Sequence, residues 1–413
     1  MISFLAILLT ISILILTLMQ TLLVLNYNWF HRDVNAKTTV ETEDIYGLEK
    51  IPDLPKAAII LCLRGEDESN LECIAELVGQ DYSDYELHIA FDSEQDPAAR
   101  QIEELFEDHG AQAQLHFFEP KEECSYKCSG IVHVIEQLGD EVEFVAFCDG
   151  DAIVDAQWLT DLVEPMMQDR KIGATTGNRW FAPFNDAIAA QVRKHWNSAA
   201  VVQMQAYDIA WGGSMAVRRS TIEKCNLTER WSKAFCEDTL LTQAMQEQEL
   251  VLHRVPGLVI ENKETTTVME CFEWIARQLL TVRLHHRGWP LVLAHGIVTG
   301  LATIVAPIAI VLLLGFGFFN EGRSLLIVWV IYQVANFFLL KVIAYCNETA
   351  ISRRRGTASS NPPPRTPKGE MLAFAAVQFL HPLAAIKTML MKAVSWRGVT
   401  YSIEEKQIRV LEK

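Results

Sequence analysis

Positive charge is scarce in this sequence. It has 36 lysine and arginine residues against 52 aspartate and glutamate residues, which gives a formal net charge of −16 at pH 7. A protein that binds nucleic acid needs a basic surface to neutralise the phosphates. The acidic balance therefore argues against a nucleic-acid partner.

Charged residues are missing altogether from two long stretches, residues 1–30 and residues 288–320. Each is longer than the roughly 20 apolar residues that cross a bilayer as a helix. A third run, residues 324–340, is interrupted only by Gln333 and Asn336. Polar side chains inside such a helix are costly in lipid, so we expect both to face another helix. The sequence thus predicts an integral membrane protein.

The first apolar run also lacks the basic start and the small-residue cleavage site of a secretory signal peptide, which predicts a retained anchor. Residues 33–287 are acidic and ordinary in apolar content, as in a soluble domain. The loop 347–368 is rich in arginine and lysine around a run of prolines, and such loops lie on the cytoplasmic side. Counting back across two crossings places the soluble domain on the cytoplasmic face as well.

No disulfide framework can be recognised in the sequence. The nine cysteines have spacings that fit none, which agrees with a reducing compartment. Cys124 and Cys128 lie close together but lack a second pair of cysteine or histidine ligands nearby, so a zinc site is not favoured there.

Apolar runs and helical patterns alternate through the first part of the soluble segment. The predicted strands are residues 57–63, 85–92, 113–118 and 142–148, and the predicted helices are residues 68–80, 97–109 and 126–138. This alternation predicts an α/β fold with a mainly parallel sheet and helices on both faces. Asp92 and the pair Asp149 and Asp151 follow strands, so we expect them to gather along one edge of the sheet.

The most informative motif is Asp149-Gly150-Asp151, which ends a buried strand. Two carboxylates so close together repel each other unless a divalent cation or a proton neutralises them. A hard cation held by one or two carboxylates keeps positions free for phosphate oxygens, which suits a nucleotide diphosphate. The alternative is an acidic turn without a ligand, because Asp-Gly-Asp is common in turns.

The order of motifs along the chain resembles that of inverting family-2-type glycosyltransferases with the GT-A fold. Within that group the chain is most similar to the ceramide-glucosyltransferase-like branch, which has one N-terminal anchor and a small C-terminal helix cluster. Its segment 395–401 is similar to the Trp-Arg-Gly-x-x-Tyr ending of that branch. The motifs that carry the resemblance are Asp92, Lys127, Asp149-Gly150-Asp151, Gly212-Gly213-Ser214, Glu237-Asp238 and Arg277-Gln278.

The resemblance implies a UDP-sugar donor held through Mn²⁺ or Mg²⁺. Asp151 is then the main metal ligand, with Asp149 assisting or contacting the ribose, and the cation bridges the two phosphates. Asp92 would accept a hydrogen bond from the base or ribose, and Lys127 would meet the base or a phosphate. Their alternatives are a carboxylate that faces water and an exposed helix lysine.

The resemblance also implies that Asp238 is the general base for the acceptor hydroxyl. Its alternative is an N-terminal cap of the helix predicted over residues 239–248. Gly213 would let the backbone approach the donor sugar, although a tight turn into a strand explains the motif nearly as well. The nearby aromatic residues Trp180, Phe181 and Trp211 would stack on a sugar or fill core, and core is favoured.

One departure from the family pattern concerns the donor phosphates. Arg277 and Gln278 are present, but the Arg-Trp pair that usually follows is replaced by Leu280-Thr281. Arg283, His286 and Arg287 are candidates for the missing cation. The amphipathic run 268–284 is expected to rest on the bilayer interface, where it would deliver a lipid acceptor.

These observations predict a membrane-bound, metal-dependent inverting glycosyltransferase that transfers a sugar, glucose by resemblance, from a UDP-sugar to a lipid hydroxyl such as ceramide or diacylglycerol. The alternatives are a processive polysaccharide synthase and a catalytically silent scaffold with the same fold. The expected segments are an anchor (1–30), a catalytic domain (33–264), an interfacial helix (265–290), two transmembrane helices (291–346), a basic loop (347–369), a third helix that crosses the membrane or lies in its interface (370–392) and a tail (393–413).

Overall fold

The computed structural model of the chain describes residues 2–40, 54–109, 113–182, 187–262, 265–355 and 366–412. Its strands form a seven-stranded sheet and a three-stranded sheet. The strands are β1 (Ala57–Leu63), β2 (Tyr85–Phe91), β3 (Gln114–Phe117), β4 (Phe144–Cys148), β5 (Ile172–Phe181), β6 (Ser214–Arg218), β7 (Val251–Asn262), β8 (Ala393–Trp396), β9 (Val399–Glu404) and β10 (Gln407–Glu412).

Helices cover the larger sheet and also form a separate apolar group. A π-helical turn, Leu301–Val305, joins two of them. The helices are α1 (Ile2–Val40), α2 (Glu68–Val78), α3 (Pro97–His109), α4 (Tyr126–Ile135), α5 (Trp158–Gln168), α6 (Ile188–Ala206), α7 (Arg219–Lys224), α8 (Leu227–Trp231), α9 (Leu241–Gln246), α10 (Val268–His285), α11 (Trp289–Gly300), α12 (Ala306–Gly315), α13 (Phe319–Arg355) and α14 (Pro367–Leu390).

The larger sheet has the order β3-β2-β1-β4-β6-β5-β7. Strands β3, β2, β1 and β4 are mutually parallel, β6 runs antiparallel to β4 and β5, and β7 is parallel to β5. Alternate residues of β1 enter different cores, with Ile59 and Leu61 on one face and Ile60 on the other. Both faces are covered, so the predicted mainly parallel α/β fold is confirmed.

Several predicted ends differ from the structure. Strand β3 is shorter than the predicted strand 113–118. Helix α2, which follows β1, ends at Val78, and helix α4, which follows β3, ends at Ile135, before the ends predicted for them. The helix predicted over residues 239–248 begins only at Leu241 and ends at Gln246. The hydrophobic spacing typical of a helix continues into adjoining turns that are not helical. The predicted elements are therefore longer than the observed ones.

Four helical segments of the described residues are long and apolar enough to cross a membrane. Helix α1 continues to Val40, beyond the predicted anchor 1–30. Helix α13 continues to Arg355, so the start of the predicted loop 347–369 is helical, whereas its proline run lies outside the described residues. Helix α14 is unbroken through Pro382.

Contacts fix the direction of these helices. Ser3 of α1 lies 2.7 Å from Glu321 of α13, and Tyr27 lies 2.8 Å from Asn347, so the two helices run parallel. At the end of α13, Arg354 forms ion pairs with Asp155 in the sheet domain. Helices α1 and α13 therefore both run towards the sheet domain, and α11 with α12 runs away from it.

Helix α14 begins and ends on the sheet-domain side. Near its start, Glu370 pairs with Lys341, and Lys341 lies about 30 Å along α13 from Glu321, which matches the thickness of the bilayer core. After its end, β8 to β10 pack on the sheet domain, where Tyr126 N donates to Tyr401 Oη at 3.1 Å. All four candidates are long and apolar enough to cross a membrane; because α14 begins and ends on one side, we expect it to lie at the interface while the other three cross.

Single cysteines will test this topology, because all nine native cysteines are buried. We expect Lys406→Cys in the β9–β10 turn and Ser83→Cys in the sheet domain to react with a membrane-impermeant maleimide in vesicles of the same orientation. Asn320→Cys, at the start of α13, is the control for the opposite face. Labelling of Lys406→Cys together with Asn320→Cys would mean that α14 crosses the bilayer.

Candidate active site

The carboxyl ends of β1 and β4 open into a cleft of about 1580 Å³. Ligands collect at such strand ends in open α/β sheets. Helix α10 and the turn between β8 and β9 form the opposite wall. The cleft brings together most of the predicted site residues, namely Lys127, Asp149, Asp151, Gly213, Asp238, Arg277 and Gln278.

Lys127 connects the acid pair with the second acidic motif. It is only 7% exposed, and its Nζ lies 2.5 Å from Asp149 Oδ1 and 2.7 Å from Glu237 Oε1. The alternative of an exposed helix lysine is therefore wrong. Besides the cation or proton expected to neutralise the aspartates, the structure places a lysine beside Asp149.

Opposing effects set the charges of this trio, Lys127, Asp149 and Glu237. Burial would lower the pKa of Lys127, but the two carboxylates raise it well above its usual value. Burial would raise the pKa of Asp149, but Lys127 and then Arg179 and Arg277 hold it below its usual value. Burial raises the pKa of Glu237 in spite of Lys127. Lys127 and Asp149 thus stay charged at neutral pH.

The glycines of the motif Gly212-Gly213-Ser214 allow these carboxylates to pack against the backbone. A Cβ on Gly212 would lie 1.7 Å from Glu237 Oε1, and one on Gly213 would lie 2.5 Å from Asp149 Oδ2. Neither distance is possible for a real Cβ atom. The motif is therefore required by close packing at the site as well as by the turn into β6.

Asp238 is held by the same glycine motif. Its Oδ2 accepts from Gly212 N at 3.0 Å, and its Oδ1 accepts from Thr239 Oγ1 at 2.8 Å. Helix α9 has Leu240 as its N-cap residue, without a side-chain cap. The alternative in which Asp238 caps this helix is therefore wrong, and its carboxylate lines the cleft.

The loop that precedes Asp238 is also held by a hydrogen bond. Phe235 N donates to His285 Nε2 at 2.9 Å, which ties the loop before the acidic motif to α10. Burial lowers the pKa of His285 to about 4. The imidazole is thus neutral at physiological pH and can accept this hydrogen bond.

Asp151 has its own orienting partner. Asn262, at the end of β7, donates from Nδ2 to Asp151 Oδ2 at 2.8 Å. No group of three or more histidine, cysteine or acidic side chains with metal-site geometry occurs in the described ranges. Two aspartates at the cleft still suit a hard cation that takes its other ligands from phosphate and water.

Asp92 is separated from the other predicted residues. It forms an ion pair with Arg64, which follows β1 and lines the cleft, whereas Asp92 is not among the described cleft-lining residues. Its contact with the nucleotide stays a prediction. In the structure, Asp92 holds the Arg64 guanidinium at the strand ends.

The predicted substitutes for the missing Arg-Trp pair lie elsewhere. Arg283 Nη1 donates to Met391 O at 2.9 Å and so holds the end of α14. His286 Nδ1 accepts from Gly288 N at 3.0 Å, and Arg287 contacts Gln246. None of the three is among the described residues that line the cleft.

A tryptophan and an arginine from the C-terminal sheet enter the cleft instead. The Arg277 guanidinium lies 5.1 Å from the Trp396 ring centroid, and Arg397 Nη2 lies 3.2 Å from Asp67 Oδ2. Arg397 has φ 48°, in the left-handed region, at the β8–β9 turn. In the sequence the Trp-Arg-Gly motif is only a mark of resemblance; its position at the site becomes visible in the structure.

Two further arginines were also missed. Arg179 in β5 and Arg193 in α6 line the cleft, and both guanidiniums lie about 5 Å from the Trp274 ring. An arginine within an otherwise buried strand or helix face is the signal that marks such positions. Of the three aromatic residues singled out in the sequence, Trp211 lines the cleft, whereas Trp180 and Phe181 fill core as expected.

Comparison with protein families decides the assignment. The model of glycosyl transferase family 21 matches residues 9–409. The chain belongs to glycosyl transferase family 21. No curated protein matches this family 21 chain. The family match confirms the prediction that the chain is a member of a glycosyltransferase family.

Solved structures that resemble the family 21 chain include three transferases. A mannosyltransferase from Pyrobaculum calidifontis, solved with GDP-Man and Mn²⁺, has a TM-score of 0.48 and 14% identity, over 92% of this chain and 99% of that one. TarS 1–349 from S. aureus gives 0.37 and 11%, over 87% and 97%. Glucosyl-3-phosphoglycerate synthase from Mycobacterium tuberculosis, solved with Mn²⁺ and UDP, gives 0.34 and 12%, over 55% and 79%.

Replacing Lys127 will test the ion trio. Lys127→Met leaves two buried carboxylates without their cation, and we expect a loss of about 3–5 kcal/mol in the free energy of unfolding. The double variant Lys127→Met with Glu237→Gln should recover part of this loss, because one carboxylate is then neutral. The measurement is denaturant unfolding in detergent.

Lys233→Met is the matched control, since Lys233 forms an exposed pair with Glu229. Its unfolding midpoint should stay at the wild-type value. Equal midpoints for Lys127→Met and Lys233→Met would show that the trio does not stabilise the fold.

Proposed function

We propose that this family 21 chain is a membrane-bound, metal-dependent inverting glycosyltransferase. By resemblance, it transfers glucose from UDP-glucose to a lipid hydroxyl, with ceramide and diacylglycerol as candidate acceptors. One observation supports this most strongly: Asp238 lines the cleft and also lines a second cavity that reaches α1, α13 and α14. A candidate base therefore lies between the donor cleft and the membrane helices.

The donor side of the proposal depends on the positive charges of the cleft. Arg179, Arg193, Arg277 and Arg397 all line it. A nucleotide diphosphate carries negative charge that such guanidiniums recognise through paired N–H groups. We infer that Arg277 with Trp396-Arg397 takes the place of the Arg-Trp pair that the family pattern has at Leu280-Thr281.

The proposal assigns the cation to Asp151, with Asp149 nearby. When bound, a divalent cation would offset the charge of the diphosphate leaving group. Lys127 already neutralises part of the charge at Asp149, so we assign the larger share of binding to Asp151. Since the protein supplies few ligands, we expect the cation and the nucleotide to bind together.

The transfer step requires one proton acceptor. Asp238 takes the proton of the acceptor hydroxyl, the acceptor oxygen bonds to the anomeric carbon, and the bond from that carbon to the diphosphate oxygen breaks. The hydrogen bonds from Gly212 N and Thr239 Oγ1 fix the carboxylate of Asp238. Single displacement inverts the anomeric centre without a covalent enzyme intermediate.

The same proposal covers membrane orientation. Arg353, Arg354 and Arg355 end α13 on the sheet-domain side, and positive residues beside membrane helices favour the cytoplasmic face. We therefore assign the cleft to the cytoplasmic face. The second cavity is small, about 180 Å³, which favours a single transfer to a lipid over the extrusion of a growing polymer.

Removing the metal ligand is the first test. Asp151→Ala should abolish the Mn²⁺-dependent part of UDP affinity in calorimetric titrations, because the remaining aspartate is paired with Lys127. Asp84→Ala, an exposed aspartate before β2, should bind as the wild type does. Unchanged affinity of Asp151→Ala in the presence of Mn²⁺ would remove Asp151 from the metal site.

Removing the base is the second test. Asp238→Asn keeps an oxygen that can accept from Gly212 N but cannot take a proton. We expect UDP affinity to stay the same while transfer from UDP-glucose to a total lipid extract falls by about 10²–10⁴-fold. If the variant transfers sugar at the wild-type rate, Asp238 is not the base. Transfer by neither protein, with UDP bound by both, would favour the silent scaffold.

A further inference from the structure

The loop between β4 and α5, residues 149–157, carries both aspartates of the predicted metal site, and we call it the acidic loop. Two of its contacts lie at or near Asp151. Ile153 pairs with Glu261 of β7 in an isolated bridge, and Asn262 donates to Asp151 Oδ2 at 2.8 Å and to Asp151 O at 3.3 Å. The end of β7 therefore supports the acidic loop on one side.

The other end of the acidic loop is bound by the last turn of α13. Arg354 Nε lies 2.7 Å from Asp155 Oδ2, and Arg354 Nη2 lies 2.8 Å from Asp155 Oδ1, so the guanidinium holds both oxygens. The third nitrogen, Nη1, lies 2.6 Å from Asp161 Oδ2 in α5. A paired contact of this kind fixes the direction of a carboxylate as well as its distance.

Asp155 in turn holds the backbone where the acidic loop ends. Its Oδ1 accepts from Gln157 N at 3.1 Å, and its backbone oxygen accepts from Gln80 Nε2 at 2.9 Å. The carboxylate that Arg354 binds is thus part of the turn into α5. Because Asp151 lies four residues before Asp155, a shift of Asp155 displaces Asp151 through a short stretch of backbone.

Both supports of the acidic loop depend on α13. Strand β7 is at the edge of the larger sheet, so it has a neighbouring strand on one side only. Val259 of β7 lies in one apolar cluster with three residues near the end of α13, Cys346, Ala350 and Ile351. The same helix therefore packs against the strand that carries Asn262 and binds Asp155 through Arg354. Helix α13 is also a candidate membrane span.

We propose that Arg354 is a positioning residue for the metal ligand Asp151. Through Arg354, the candidate membrane helix α13 holds the acidic loop in place and so sets how tightly the loop binds the divalent cation. The inference rests on the proposed function, which assigns the cation to Asp151. Because the protein supplies few ligands to this cation, a small displacement of one carboxylate has a large effect on affinity.

The first experiment measures UDP affinity of the full-length protein by calorimetry over a series of Mn²⁺ concentrations. Arg354→Gln loses the paired contact with Asp155, and we expect the half-saturating Mn²⁺ concentration to rise about 10-fold. UDP affinity without metal should stay at the wild-type value, because Arg354 is not among the described residues that line the cleft. Arg354→Lys should recover only part of the Mn²⁺ affinity, since a lysine cannot hold both carboxylate oxygens in the same way.

Glu348→Gln is the matched control for this experiment. It removes another ion pair between α13 and the sheet domain, because Glu348 Oε1 lies 3.0 Å from Lys194 Nζ in α6. Both residues of this pair lie outside the acidic loop, so the half-saturating Mn²⁺ concentration should stay at the wild-type value. An equal rise in Glu348→Gln and Arg354→Gln would overturn the inference.

A double-mutant cycle separates positioning from general stabilisation. Asp155→Asn keeps the oxygen that accepts from Gln157 N but loses its charge. We expect Asp155→Asn, Arg354→Gln and the double variant to raise the half-saturating Mn²⁺ concentration by the same factor, because Arg354 acts through Asp155. Asp161→Asn, which alters only the contact with α5, should keep the wild-type value. Effects that multiply in the double variant, or an equal shift in Asp161→Asn, would contradict the inference.

Asp151→Ala separates this inference from the proposed function. We expect it to lose the Mn²⁺-dependent part of UDP affinity, whereas Arg354→Gln keeps that part at higher Mn²⁺ concentration. Loss in Asp151→Ala with wild-type Mn²⁺ dependence in Arg354→Gln would contradict the positioning role and keep the metal site. Wild-type Mn²⁺ dependence in both variants would contradict the assignment of Asp151 as metal ligand, and the positioning role with it.

Discussion

The buried ion pairs of Lys127 are the contact on which the cleft depends. The lysine extends from the start of α4 to carboxylates at the end of β4 and in the loop before α9, and the two glycines before β6 leave room for those carboxylates. Isolated buried charges would be strongly destabilising. Because each charge needs the others, strand end, helix start and loop are held in one arrangement, and the hydrogen bond from Gly212 N places Asp238 within it.

The membrane helices give this cleft its second boundary. Helices α1, α11 to α12, α13 and α14 are each long and apolar enough to cross a membrane, and α14 ends on the side on which it began. Its end carries β8 to β10 back to the sheet domain, and Trp396 and Arg397 thereby reach the cleft. The cleft and the second cavity are both lined by Asp238. The proposed transfer from a water-soluble donor to a lipid acceptor needs such a meeting point.

The sequence predicted the features that depend on local patterns. Apolar runs and helical spacing identified the strands β1 to β4, the helices that cover them and the acids at the strand ends. It did not reveal the two partners of Lys127, because Asp149 and Glu237 both lie well beyond the spacing of a single helix or strand and leave no local pattern. The position of Arg397 in the cleft could not be predicted for the same reason, because it depends on how the end of α14 carries β8 to β10 back to the sheet domain. The continuation of α13 past Asn347 was missed because its polar turns resemble a loop unless they are packed against the sheet domain.

Product analysis tests the central claim most directly. Purified protein is incubated with Mn²⁺, a panel of nucleotide sugars and a total lipid extract, and the product is identified by mass spectrometry and its anomeric configuration by NMR. The account predicts one glycosylated lipid whose anomeric configuration is opposite to that of the donor. A soluble or polymeric product, or a lipid product that retains the donor configuration, would contradict it.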